Sequence, residues 1–183
     1  MSRWSGWLWA AGGAFWRRAN TIFGVSRLYT PAEANSLIPA ISTLTERLRV
    51  MRDEVVGLRD AYRDRETVVL EELVDAGASA ASALGPDAGL EPQDAELRCL
   101  RLRMRGLVDQ MQADAAWLDD REIVLRDIVT GLLDFPGEAS GRPVWLCWRR
   151  GETAVGYVHG RDEGFSRRRP ISEFEFNAAR PSG

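Results

Sequence analysis

From Leu37 onward, the apolar residues Leu37, Ile41, Leu44, Leu48, Met51, Val55, Leu58 and Tyr62 recur at alternating steps of four and three. That period makes a single apolar seam along a helix, and the seam has to be covered by another helix. The chain supplies a second one: Leu97, Leu100, Met104, Leu107, Met111 and Leu118 follow related steps, with Asp114 the one polar entry. Between them, Asp75 to Pro92 is rich in Gly, Ala, Ser and Pro and reads as a connecting loop. Two such helices fold most simply as an antiparallel pair, so the spacing predicts a long, coiled-coil-like helical hairpin over residues 25–120, with its loop near 75–92. Thr30-Pro31-Ala32-Glu33 marks the start: Thr30 caps, Pro31 suits the first helical position and Glu33 closes a capping box. Pro39 predicts that a short first helix ends or kinks after Ile38.

At Glu122 the period changes. Ile123 to Ile128, Leu132 to Phe135, Val144 to Trp148 and Val155 to His159 are short β-branched and aromatic runs. Thr130-Gly131, Pro136 to Pro143 and Gly151-Glu152 separate them as turns. The expectation is an α+β fold, in which the hairpin is followed by a small antiparallel β-meander of three or four strands over residues 121–171 and a tail at 172–183.

Residues 1–24 stand apart, with Trp4, Trp7, Trp9 and Trp16 among Gly and Ala. The apolar stretch is too short to span a bilayer, which takes about 20 residues. It is expected to be a disordered extension or the product of a misassigned start, with an interfacial anchor or a signal peptide as alternatives. A membrane partner is expected only in the anchor case. All 24 basic residues are arginine, so lysine-based Schiff-base and phosphate-loop chemistry is excluded. Between Pro31 and Asp120, 10 arginines face 18 acids. That balance argues against a nucleic-acid partner, whose binding rests on neutralising phosphates. The two cysteines, Cys99 and Cys147, lack metal-ligand spacing and point to a reduced, cytoplasmic protein.

Four segments carry a resemblance: RLYTPAEANSLIP (Arg27 to Pro39), LRDIVTGLLDFP (Leu125 to Pro136), VWLCWRRGE (Val144 to Glu152) and YVHGRDEGFSRRRPI (Tyr157 to Ile171). In this order they resemble the bacterial and archaeal domain-of-unknown-function family numbered 2203. Asp127, Gly131, Asp134, Cys147, Trp148, His159, Gly164 and Phe165 fall within the matching motifs. The Ala/Ser-rich loop after Asp75 departs from the glycine-rich segment that the family often carries there. The resemblance implies a small cytoplasmic protein and supplies no catalytic residue; no cofactor or metal is expected from the sequence.

Residues that the fold alone does not require gather in the β region: Asp127, Asp134, Trp148, His159, Asp162, Glu163, Arg167, Arg168 and Arg169. Asp127 and Asp134 border the Thr130-Gly131 turn, where aspartates accept backbone N–H bonds. His159 reads as a strand-end histidine bonded to a carboxylate such as Asp162. A two-residue loop at Gly151-Glu152 sets His159 opposite Val144, on the face away from Cys147, so a Cys–His pair or a metal site is not expected. A three-residue loop would bring the two residues to one face, though still well apart along the strands. Arg167 to Arg169 suit a phosphate or carboxylate, but the acidic helices make docking the favoured role. The leading expectation is a non-enzymatic interaction or scaffold protein that forms homo-oligomers or takes a protein partner through its heptad helices. The alternative is a small-molecule or metal-binding protein with its site around His159 and the arginine triplet.

Overall fold

The computed structural model describes residues 27–75 and 94–176. The extension at 1–24, most of the loop at 75–92 and the end of the 172–183 tail lie outside the described residues. Two helices, α1 (Pro31–Asp75) and α2 (Ala95–Asp119), precede five strands: β1 (Val124–Asp127), β2 (Leu132–Ala139), β3 (Arg142–Arg149), β4 (Tyr157–Gly160) and β5 (Arg169–Pro170). The strands form one antiparallel sheet in sequence order, so the α+β class and the meander are as expected, with one strand more.

The chain divides into two units, one from Glu46 to Ala115 and the other holding the first turns of α1 together with everything from Ala116. In the helical unit Leu48, Met51, Val55 and Leu97 are buried. The polar seam entry Asp114 is matched by Arg47, which reaches it through two guanidinium nitrogens. Arg103 bonds Glu54 at 2.8 Å and Arg65 bonds Asp94 at 2.7 Å. Asp94 also caps α2, accepting the Leu97 N–H at 2.9 Å.

In the sheet unit α1 begins as its sequence suggests. Glu33 Oε2 accepts the Thr30 N–H, and Thr30 Oγ1 accepts the Glu33 N–H. The helix does not end at Pro39 but runs through it, which corrects one of the two alternatives expected there. A mid-helix proline removes one backbone bond and costs about 3 kcal/mol. Fully buried Ala34 and Ile41 and nearly buried Ile38 flank it and offset that cost. The side chain of Asn35 is also tied to the sheet unit, accepting the Val155 N–H at 2.7 Å.

Pro136 to Pro143 is not a turn. Pro136 to Ala139 belong to β2, and the reversal is the two-residue Ser140-Gly141, both with positive φ (51° and 72°). Positive φ at both central positions is the hairpin turn that matches strand twist. Pro136 is tolerated because β1 pairs no further along β2 than Asp134. Its missing N–H therefore faces a local edge, where the Tyr29 N–H donates to the Pro136 carbonyl at 2.7 Å. Gly137 lets Tyr29 approach: a Cβ there would lie 3.1 Å from the Tyr29 carbonyl oxygen.

Strand alternation gives the sheet two unlike faces. Leu133, Phe135, Val144, Leu146, Trp148 and Val158 share one, by the pairings Leu133↔Trp148, Phe135↔Leu146 and Leu146↔Val158. All are buried, and the Tyr29 ring packs edge-on to Phe135 at 5.5 Å. This face is the core.

Candidate functional site

The opposite face carries the chemistry. Asp134 lies across from Cys147, Pro136 from Trp145, Cys147 from Tyr157 and Trp145 from His159. The expected β3–β4 register is corrected by one residue. Arg149 to Glu152 does close a turn, with the Glu152 N–H on the Arg149 carbonyl at 3.0 Å and Gly151 at φ +93°. The chain then runs on unpaired, and β4 begins to pair with β3 only at Tyr157. His159 therefore faces Trp145 instead of Val144, on the same side as Cys147.

Asp134, Cys147 and His159 are all buried, and one ligand-type atom from each lies within 4.8 Å of the others. His159 Nε2 sits 3.3 Å from Asp134 Oδ2, and Nδ1 sits 3.0 Å from the Gly160 carbonyl oxygen. A carbonyl only accepts, so Nδ1 carries a proton. In a neutral ring Nε2 would then be an acceptor facing another acceptor. The pair requires a second ring proton or a cation. Burial alone would lower the His159 pKa, but the hydrogen bond to Asp134, its charge and the Gly160 carbonyl together raise it above the ordinary value.

Arg126 Nε donates to the same Oδ2 at 2.7 Å. Among the described residues Asp134 Oδ1 is buried without a partner of hydrogen-bond geometry, although the Cys147 thiol lies close enough to the carboxylate to interact with it. Burial first, then the charge of Asp134, push the Cys147 thiol up to about 12, against the opposing pull of Arg168. A thiol so protonated and enclosed is a poor nucleophile.

The sequence-derived candidates separate. Asp134 and His159 meet, and Arg168 comes near through Cys147 while bonding Glu152 at 3.0 Å. The guanidinium of Arg168 also lies between the rings of Tyr157 and Phe165. His159 bonds Asp134, not Asp162, which is exposed. Asp127 ties the turn, accepting the N–H groups of Val129 and Thr130. Glu163 accepts the Gly160 N–H at 2.9 Å. Trp148 belongs to the core face and donates to the Glu152 carbonyl. Arg167 is exposed, and Arg169 lies over Phe174. Arg126, Trp145 and Arg161 were not singled out from the sequence. The guanidiniums of Arg161 and Arg126 lie 3.9 Å and 5.0 Å from the Trp145 ring centroid.

Comparison with known proteins gives one family. Residues 27–171 match the model of a family described as an uncharacterized conserved protein (DUF2203), and the chain belongs to that family. No curated protein and no solved structure matches the chain.

Proposed function

Starting from membership of a family with no described activity, we propose that this chain is an ion- or small-molecule-binding domain. Its site is the buried trio Asp134, Cys147 and His159, suited to a divalent transition ion such as zinc. The observation that carries the reading is Asp134 Oδ1: a buried carboxylate oxygen without a hydrogen-bond partner among the described residues, beside a thiol and an imidazole within 4.8 Å. A buried unpaired acceptor costs about 1–3 kcal/mol, so it persists where something compensates it. Thiolate, imidazole nitrogen and carboxylate are the donor set of a borderline-soft ion, and three protein ligands leave a fourth position open.

The flanking arginines do not oppose the ion. Protonated thiol, carboxylate and imidazolium sum to zero charge; so do thiolate, carboxylate, neutral imidazole and a divalent cation. Binding exchanges two protons for one ion at constant charge, and the Nδ1–H bond to Gly160 already directs Nε2 inward. The test is elemental analysis of the purified full chain, followed by cobalt titration of the chelator-treated protein. Stoichiometric metal and a thiolate-to-cobalt absorption band that Cys147→Ser abolishes support the reading. Absence of both metal and cobalt binding in folded protein refutes it.

A second reading concerns the helices. Arg47–Asp114, Glu54–Arg103 and Arg65–Asp94 link α1 to α2 in opposite chain order, which supports an antiparallel, coiled-coil-like hairpin. Val50, Val68 and Leu102 are exposed on these helices, favouring association with a second copy or a partner helix. In this reading the protein is a cytoplasmic scaffold with both thiols free. Light scattering across a concentration series tests it, and a monomer throughout would leave only a partner-dependent role.

A further inference from the structure

Trp145 is buried, and two cations cover it. Arg161 is the unusual one. Its Nε is buried without a hydrogen-bond acceptor, and among the described residues it makes no ion pair. Its fellow arginines on this face are matched: Arg126 reaches Asp134 and Arg168 reaches Glu152. The charges of Glu122 and then of Asp134 act on Arg161. Stacking on an indole uses the flat face of a guanidinium and leaves its donor edge available.

We infer that Arg126 and Arg161, spread over Trp145, form a subsite for an oxyanion, the carboxylate or phosphate group of a small acid. Planar forks of N–H donors match both groups bidentately. The acceptor that Arg161 Nε lacks among the described residues is what such a group supplies. Neither arginine is among the proposed metal ligands, so the subsite stands without the ion and goes beyond that reading.

The experiment uses the full chain after chelator treatment, so that failure of the metal reading cannot mask the result. Inorganic phosphate, acetate and chloride are titrated at constant ionic strength while the unfolding midpoint is followed. The expected result is a saturable rise with phosphate, with acetate or with both, and none with chloride. A rise with phosphate alone assigns a phosphate group, and a rise with acetate assigns a carboxylate. Arg161→Gln weakens the apparent affinity by about tenfold or more, the order of a lost charge-assisted bond. Arg142→Gln, an exposed arginine at the start of β3, leaves it unchanged. No saturable rise in the unsubstituted protein overturns the inference, and so does equal weakening by the two variants. If Arg161→Gln does not fold, Arg161→Lys replaces it, keeping the charge while losing the fork; undiminished affinity in that variant would equally overturn the bidentate subsite.

Discussion

Asp134→Asn probes what the buried carboxylate does, because the shape is kept while the charge is removed and one acceptor oxygen becomes a donor. In the ion-free protein Asp134 holds His159 at 3.3 Å and Arg126 at 2.7 Å. Breaking a buried pair by removing one partner costs about 3–5 kcal/mol. Arg126 is about a third exposed, so its share is screened, and a total near 3 kcal/mol is expected in mildly acidic buffer. The His159 share depends on pH. Its pKa is raised in the folded protein, so its stabilisation is complete below the unfolded value of about 6.5 and is lost as pH rises through the folded value. Without the carboxylate only the Gly160 carbonyl still opposes burial, and the folded pKa falls. The difference between parent and variant should therefore be largest near pH 5.5, about 3 kcal/mol, and shrink to about 1 kcal/mol near pH 9, where only the Arg126 bond remains. Urea unfolding with a chelator present, followed by tryptophan fluorescence, reads both values. A difference that is equal at the two pH values, or larger at pH 9, refutes the imidazolium–carboxylate pair.

Thiol labelling of the native chain should show one fast cysteine, the exposed Cys99, while Cys147 reacts only on unfolding; two fast thiols would contradict the enclosed site. Phe135→Ala removes a side chain with no exposed surface and should cost about 3–5 kcal/mol by urea denaturation. Gly131→Ala forces a Cβ to 2.8 Å from Arg150 Cβ at φ +64°, so a loss of about 1–3 kcal/mol is expected, and an unchanged midpoint would show that the turn relaxes freely. Thr30→Ala opens the capping box and should cost about 1 kcal/mol in the same assay.

What could be read from the sequence follows from how local each signal is. The capping box at Thr30 and Glu33 depends on residues three apart, and it forms. Pro39 signals a helix end just as locally, yet packing of Ala34, Ile38 and Ile41 outweighs one lost backbone bond. Pro136-Gly137 has turn composition, but both residues sit in β2 because Tyr29, far away in sequence, supplies the edge contact. Ser140-Gly141 carried the true turn signal within the same stretch, and taking it as the reversal places Asp134 opposite Cys147 at once.

The position of His159 was also written in the strands, though not in the loop. Loop length suggested a register that sends His159 to the face of Leu146 and Trp148. That register would turn Val158, fully buried beside Leu146, away from the core. Losing the burial of a valine costs about 1.5–3 kcal/mol, and sinking an unpartnered imidazole into an apolar core adds about 1–3 kcal/mol. The observed register avoids both costs. The sequence Tyr157-Val158-His159 has one apolar residue to match the Leu146 face, so the histidine must fall on the face of Cys147 and Asp134. The same alternation that completes the core thus assembles the polar trio, and the seven residues from Arg150 to Gly156 adapt to it.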